Sequence, residues 1–130
     1  MRNYRELKVW QRAHQLTLDL YKITHSFPQY EQYGLTSQVR RAASSVGANL
    51  AEGCGRRGDA EFARFVLIAM GSASELDYHL LLARDLAFLQ LKDYERLAAE
   101  LAEIRRMLTS LLLKVKEGPS WRNRELRAKG

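Results

Sequence analysis

The stretch of sequence that decides the fold is DAEFARFVLIAMGSASELDYHLLLARDLA, residues 59–87. Apolar residues recur three and four positions apart along all of it, the spacing that places side chains on one face of an α-helix. Asp59 is suited to cap the start of this helix. The pattern predicts one long helix of about eight turns. Its predicted core positions are Phe62, Val66, Ala69, Ala73, Leu76, Leu80, Ala83 and Ala87.

Three further segments on either side carry the same helical rhythm. We expect Asn3 and Glu6 to form a capping box for the first, Pro28 to end it, and Asp93 to cap the last. Gly118 and Pro119 end the last segment. The second segment, about residues 36–53, has small core residues, so a neighbouring helix can approach closely. The predicted core positions are Val9, Ala13, Leu16, Leu20, Ile23 and Phe27, then Val39, Ala43, Val46 and Leu50, then Tyr94, Leu97, Leu101, Ile104, Leu108, Leu111 and Val115.

These four segments predict an all-α protein. No segment shows the period-2 alternation of a strand, and short connections between long helices favour antiparallel neighbours. We therefore predict an up-down-up-down four-helix bundle over residues 1–117. Residues 118–130 are basic and carry no apolar stripe, and we expect them to form a flexible tail.

Composition narrows the protein class. The chain has 130 residues, 46% hydrophobic and 28% charged, which suits one folded domain. Its apolar runs are shorter than a membrane span, and its N-terminus has no signal-peptide core. The single cysteine, Cys54, excludes an internal disulfide and suits a cytoplasmic location. The net charge of +6 favours polyanionic partners.

The third helix is more apolar than a bundle seam requires. Two interpretations stay open: a wider core, or a subunit interface to which Trp10 and Tyr21 on the first helix contribute. The surplus apolar residues are Phe65, Leu67, Ile68, Met70, Leu81, Leu82, Leu86, Phe88 and Leu89.

A polar stripe runs along the second and third helices. Its members on the second helix are Gln38, Arg41, Ser45, Asn49 and Glu52, and on the third helix Arg64, Gly71, Glu75 and His79. In a helical hairpin that turns at Arg56 and Arg57, facing residue numbers add to roughly 115. We therefore predict two cross-helix ion pairs, Arg41 with Glu75 and Glu52 with Arg64, which set register more than stability.

The residues do not predict catalysis, a metal site or a cofactor. Residues 53–58 read GCGRRG and match the dinucleotide motif G-x-G-x-x-G, but that motif requires a preceding strand, and here a helix precedes it. Glu75 and His79 have no second Glu-His pair to complete a di-iron site. Cys54 has no histidine beside it to act as a base. We therefore expect a protein that is not an enzyme.

Several motifs resemble one bacterial family. They are YRELKVWQRA (4–13), Phe27-Pro28 with Glu31 and Tyr33, LTSQVRRAA (35–43), ANLAEG (48–53), and Phe65, Ala69, Gly71-Ser72 and Glu75-Leu76. Together they resemble the four-helix-bundle proteins encoded in intervening sequences of 23S ribosomal RNA genes, over roughly residues 4–116. That family is similar in fold to the accessory variability protein of diversity-generating retroelements. The resemblance implies a homopentameric ring and, for the retroelement members, binding to RNA or DNA and to a reverse transcriptase.

Two functions remain open. The first is a nucleic-acid-binding accessory protein, in which basic side chains contact phosphates and Trp121 stacks on bases. The second is a structural ring that scaffolds a protein partner. The candidate nucleic-acid-binding residues are Arg56 and Arg57 at the turn, Lys8 and Arg12 on the first helix, and Trp121, Arg122, Arg124, Arg127 and Lys129 in the tail.

Overall fold

The structure is a computed structural model that describes residues 2–118. Four α-helices make up the described chain: α1 (Lys8–Ile23), α2 (Leu35–Gly55), α3 (Asp59–Asp85) and α4 (Leu91–Lys116). Short 3₁₀ helices occupy Tyr4–Glu6, Thr24–Ser26 and Gln29–Glu31. No strand is found between residues 2 and 118. The all-α prediction is confirmed, with four helices as expected.

The helices close into a bundle in chain order. Each helix packs against its sequence neighbours, and α1 also packs against α4. The α2–α3 and α3–α4 connections are only a few residues long, so consecutive helices run antiparallel. This topology places the starts of α1 and α3 at one end of the bundle, together with the last turns of α2 and α4.

The core follows the predicted stripe of α3. Seven of its eight predicted positions, Phe62 through Ala83, are buried, while Ala87 is exposed because the helix ends at Asp85. In α4 the buried residue near the end is Leu112 and not the predicted Leu111.

α2 and α3 approach each other closely at Gly53. A Cβ built on Gly53 would lie 2.8 Å from Phe65 Cβ, closer than two side-chain carbons can pack. Small residues elsewhere on α2, such as Ala42 and Ala43, are also buried. The expectation that small residues on α2 admit a close neighbour is confirmed.

All three predicted helix caps differ from the structure. Asn3 Oδ1 accepts a hydrogen bond from the Arg5 backbone N–H and so caps the short Tyr4–Glu6 helix, while α1 begins only at Lys8. Asp59 is the first residue of α3 and follows Gly58, whose positive φ of 82° turns the chain. Asp93 lies in the first turn of α4, where a carboxylate favours the helix dipole without being its cap.

The third helix ends in a Schellman motif. The Phe88 N–H donates to Ala83 O and the Ala87 N–H donates to Arg84 O, each at 2.9 Å. Ala87 has a φ of +63°, the left-handed conformation that glycine usually supplies at this position. An alanine therefore holds a conformation that costs it backbone energy.

Candidate nucleic-acid interface

One end of the bundle collects three separate parts of the chain. The Arg2 backbone N–H donates to Cys54 O at 3.2 Å, and Arg2 Nη2 lies 2.9 Å from Asp59 Oδ1. A Cβ built on Gly118 would lie 3.1 Å from Asp59 Oδ2, so the last described residue reaches the same place. We call this region, residues 2–8, 52–64 and 114–118, the basic end.

The net positive charge of the described chain lies at the basic end. Eight cations and five carboxylates occur in its three segments. The remainder of residues 2–118 holds nine cations and nine carboxylates and is therefore neutral. The eight cations of the basic end are Arg2, Arg5, Lys8, Arg56, Arg57, Arg64, Lys114 and Lys116.

Three of the four predicted interface residues that the structure describes lie at the basic end. Lys8 and Arg57 are exposed, and within residues 2–118 neither has a carboxylate at ion-pair distance. Arg56 forms a salt bridge of 2.7 Å with Glu52, and its guanidinium lies 5.2 Å from the centre of the Phe65 ring. Both side chains of that salt bridge are about half exposed, so water screens it and a phosphate can compete for the guanidinium.

Arg12 lies elsewhere and already has partners. Its Nε and Nη2 donate to the two carboxylate oxygens of Glu100 at 2.9 and 2.8 Å, and Nη1 lies 3.9 Å from Glu103. The hydrogen bond with Glu100 is the main reason that the pKa of Arg12 is raised. Arg12 joins α1 to α4, and we leave it out of the interface.

Arg2, Arg5 and Lys114 were not predicted from the sequence as interface residues. Arg5 is exposed and lies over the Tyr4 ring, and Lys114 is exposed on the last turn of α4. They could have been predicted from the topology, because it already placed the residues before α1 and the last turn of α4 beside the α2–α3 turn. The tail candidates Trp121, Arg122, Arg124, Arg127 and Lys129 lie outside the described residues.

Both predicted cross-helix ion pairs are wrong, because each partner finds a nearer group on its own helix. Arg41 donates to Gln38, and Glu75 lies 3.2 Å from His79. Glu52 pairs with Arg56, and Arg64 pairs with Glu61 at 2.7 Å. Glu52 contributes only a small part of the rise in the Arg64 pKa, which comes mainly from the hydrogen bond to Glu61.

The contact that does cross between the two helices is neutral. Ser45 Oγ and Ser72 Oγ are 2.8 Å apart, and Asn49 Nδ2 donates to Ser45 Oγ at 3.0 Å. The residue numbers of this facing pair add to slightly more than the predicted sum of roughly 115. The register of α2 against α3 therefore differs from the predicted register by about two residues. A hydrogen bond between two hydroxyl groups, and not an ion pair, therefore connects the polar residues of α2 with those of α3.

The surplus apolar residues that were predicted for the third helix, some of which follow its end at Asp85, divide between the two interpretations. Phe65 and Leu89 are buried in the core. Leu67, Ile68 and Leu86 are 50%, 40% and 47% exposed. A wider core therefore explains part of the surplus, and the rest forms apolar surface.

Trp10 and Tyr21 belong to a separate apolar surface. They line a groove between α1 and α2, whose walls contain no residue of α3. Trp10 stacks on His14 with ring centres 4.9 Å apart, and Tyr4 packs edge-on against Trp10 at the same distance. Leu18 is 45% exposed in the same groove. The expectation that these aromatic residues share a surface with α3 is wrong.

The glycine-rich turn has a structural role. Residues 53–55 form the last turn of α2, and α3 begins at Asp59, so the motif joins two helices. Cys54 is buried, and burial raises the pKa of its thiol. The described residues contain no group of three or more His, Cys, Asp or Glu side chains that could hold a metal ion.

α3 also meets the length and composition of a membrane span. Core helices of soluble bundles pass the same test, and α3 packs against both α2 and α4. One such helix is weak evidence for a membrane span, and about a third of its most apolar stretch is buried inside the bundle.

Comparisons with known proteins agree with this fold. The family model described as 23S rRNA-intervening sequence protein matches residues 5–110. A solved structure from Bacteroides thetaiotaomicron, described as a protein of unknown function from the S23 ribosomal protein family, superposes with a TM-score of 0.74 at 22% identity. The similarity covers 80% of this chain and 94% of that one, and at this identity it shows the fold alone. No curated protein matches the sequence.

Proposed function

This chain belongs to the 23S rRNA-intervening sequence protein family, and we propose that it is a non-enzymatic, oligomeric accessory protein that binds RNA or DNA through its basic end. It acts in the cytoplasm. Its polyanion partner is held chiefly by phosphate contacts from arginine and lysine, which select for charge and shape more than for sequence.

The observation that supports nucleic-acid binding best is the separation of charge along the bundle. Net charge that is spread evenly over a protein would not point to one particular binding surface. Here the body of the bundle is neutral and the excess of cations lies at one end. The exposed Lys8 and Arg57 have no carboxylate partner among the described residues and so are available to phosphate oxygens.

The sequence after Gly118 carries further positive charge. Residues 119–130 contain four cations and one carboxylate, which is half of the net charge of +6. The polypeptide enters this segment at Gly118, beside Asp59, so the segment begins at the basic end. We propose that Trp121 and its basic neighbours contact the same nucleic acid, with Trp121 stacking on a base.

The protein acts as a homo-oligomer, for which the family resemblance favours a pentamer. The exposed apolar side chains of α3, among them Leu67 and Ile68, are what a subunit interface would cover. In a ring, the basic end repeats in every subunit, which multiplies the local field. A partner reverse transcriptase follows for a chain encoded in a retroelement, and the neighbouring genes decide that point.

The experiment that tests nucleic-acid binding is a salt series. The purified oligomer, with its mass determined by light scattering, is titrated into a fluorescently labelled structured RNA between about 50 and 200 mM salt. We expect submicromolar binding at low salt that weakens steeply as salt rises, because each phosphate contact releases condensed counterions. A well-folded oligomer that does not bind at low salt would overturn the proposal.

Two matched variants locate the surface. Lys8→Ala with Arg57→Ala removes two cations from the basic end, and Lys22→Ala with Lys92→Ala removes two from the opposite end. The Lys8 and Arg57 double variant should weaken binding and reduce the slope of log affinity against log salt concentration by about one to two. The Lys22 and Lys92 double variant should change neither quantity by a comparable amount. Equal loss in both pairs would show that net charge matters and the basic end does not. Deleting residues 119–130 measures the share of the tail in the same assay.

The alternative function is a scaffold that binds a protein partner. The α1–α2 groove favours it, because half-buried Trp10 and the exposed Leu18 and Tyr21 line it. Tryptophan and tyrosine are residue types typical of binding hot spots. Replacing Leu18 by Glu leaves the basic end intact. If that change abolishes partner capture while RNA binding is unaltered, the groove is a protein-docking site.

A further inference from the structure

A polar pocket of about 320 Å³ lies at the end of the bundle opposite the basic end. It is bordered by the 3₁₀ helix Thr24–Ser26, the rest of the connection to α2 and the first turns of α2. Its polar lining comes from Thr24, His25, Gln29, Gln32, Thr36 and Arg40. Two of the sequence motifs that the proposed function leaves unused, Phe27-Pro28 and residues 35–43, meet in this pocket.

Arg40 is held in place in the pocket without an ion pair. Its Nε donates to Thr24 Oγ1 at 2.9 Å and its Nη2 donates to the backbone oxygen of Tyr21 at 3.2 Å. The Tyr21 ring supports the guanidinium at 4.7 Å. No carboxylate between residues 2 and 118 forms an ion pair with Arg40. Two of its five N–H groups are therefore fixed, and the Nη1 group is left for a ligand.

Thr24 serves to orient Arg40. Its side chain is only 3% exposed, and its hydroxyl donates to Leu20 O at 2.7 Å while accepting from Arg40. With both roles occupied, it holds the guanidinium and leaves ligand contact to the other polar groups.

Thr36 supplies a hydroxyl that an occupant of the pocket can reach. The residue is 7% exposed and lines the pocket, and its hydroxyl has no hydrogen-bond partner in the part of the chain that the structure describes. The hydroxyl oxygen is not among the buried atoms that lack a partner, so an occupant that accepts its hydrogen bond would take the place of water there. Glu31, the carboxylate nearest in sequence, accepts from the Leu35 backbone N–H at 3.1 Å and is not part of the lining.

We propose that this pocket binds the phosphate group of a small phosphate monoester. Arg40 offers only donors, Thr36 offers a hydroxyl, and the amides of Gln29 and Gln32 and the ring of His25 offer further N–H groups. Such a set suits an oxyanion with several acceptor oxygens, and the guanidinium fork matches phosphate geometry. A volume near 320 Å³ is at the small end of ligand pockets and admits a phosphate with a compact organic group. The site lies away from the basic end and does not depend on nucleic-acid binding there.

Isothermal titration calorimetry at fixed ionic strength tests the proposal with inorganic phosphate, adenosine monophosphate and acetate as probes. We expect both phosphates to bind and acetate to bind more weakly, because it presents fewer acceptor oxygens. If neither phosphate shows saturable binding at concentrations up to about 10 mM, the proposal is overturned, since several charge-assisted hydrogen bonds should give tighter binding than that. A 5′-phosphorylated oligonucleotide as a further probe separates a free metabolite from the terminal phosphate of a nucleic acid as the source of the group.

Three variants assign the contact to named atoms. Thr36→Val keeps the side-chain shape and removes the hydroxyl, so phosphate binding should weaken about fivefold to tenfold. Arg40→Lys keeps the charge but loses the fork and should weaken binding further. Arg41→Lys changes the adjacent exposed arginine, which contacts Gln38 and does not line the pocket, and should leave binding within about twofold of the wild type. Thr36→Val that folds and binds phosphate as the wild type does would overturn the assignment, as would loss of binding in Lys8→Ala with Arg57→Ala.

Discussion

Replacing Ala87 by glycine is expected to stabilise the protein. Ala87 has a φ of +63° in the Schellman motif that ends α3, where both hydrogen bonds of the motif are already formed. Its side chain is exposed, so removing the methyl group sacrifices no core packing. The substitution therefore isolates one quantity, the cost of holding an L-residue in the left-handed conformation.

The magnitude follows from two opposing terms. The left-handed conformation costs an L-residue about 1–2 kcal/mol, which glycine avoids. Glycine loses more conformational freedom on folding, which takes back about 0.5–1 kcal/mol. The net gain is about 0.5–1 kcal/mol, and for a chain of this length that raises the Tm by about 2–4 °C.

Thermal and urea unfolding followed by circular dichroism measure this gain, at one protein concentration because oligomerisation also affects stability. The urea m-value should stay unchanged while the midpoint rises. Ala99→Gly is the matched control, because Ala99 is exposed in the middle of α4 and the same change there should cost about 0.5–1 kcal/mol. An Ala87→Gly variant with the Tm of the wild type or lower would refute the reasoning.

Three further predictions concern the α2–α3 hairpin. Gly53→Ala should destabilise the protein by about 1–3 kcal/mol in urea unfolding, because the new Cβ would meet Phe65 Cβ at 2.8 Å; unchanged stability would show that the helices can separate freely. Cys54 should resist a thiol reagent in the native protein and react once urea unfolds it, since burial raises the thiol pKa; the contribution of that pKa shift to stability is present at neutral pH and is lost as pH rises through the folded-state value. Reaction within minutes in native buffer would contradict this. Arg41→Glu and Glu75→Arg should change the free energy of unfolding additively, because the two side chains have separate partners. A coupling energy above about 0.5 kcal/mol between the two substitutions would show that these side chains do interact across the helices.

The helical core could be predicted from the sequence because it depends on a repeating pattern. From Phe62 to Ala83, every predicted position of α3 is buried. This follows because apolar residues repeated three and four positions apart lie on one face of the helix, and that face packs into the core. Helix ends follow from single residues and were less predictable. Asn3 has the chemistry of a cap but caps a 3₁₀ turn, because Leu7 adopts an extended conformation before α1 begins.

The polar contacts were predictable only in part. The ion pairs failed because every charged residue on a helix has neighbours three and four positions away, and these intrahelical partners were closer than the facing helix. The Ser45–Ser72 contact shows the register, but two serines carry no signal that would distinguish them in sequence. The basic end could have been completed from the topology, since Arg2 and Lys114 follow from the directions of α1 and α4.

The placement of charge also gives the molecule a direction. A neutral rod with a positive tip has a permanent electric dipole along its long axis, so the field of a polyanion exerts a torque on it before contact. The bundle would arrive tip first, and fewer of its collisions would be spent on misaligned encounters. Moving the same cations to the sides of the helices would keep the isoelectric point and remove this alignment. Association rates at low ionic strength would therefore depend on where the charges lie even when their total is held constant.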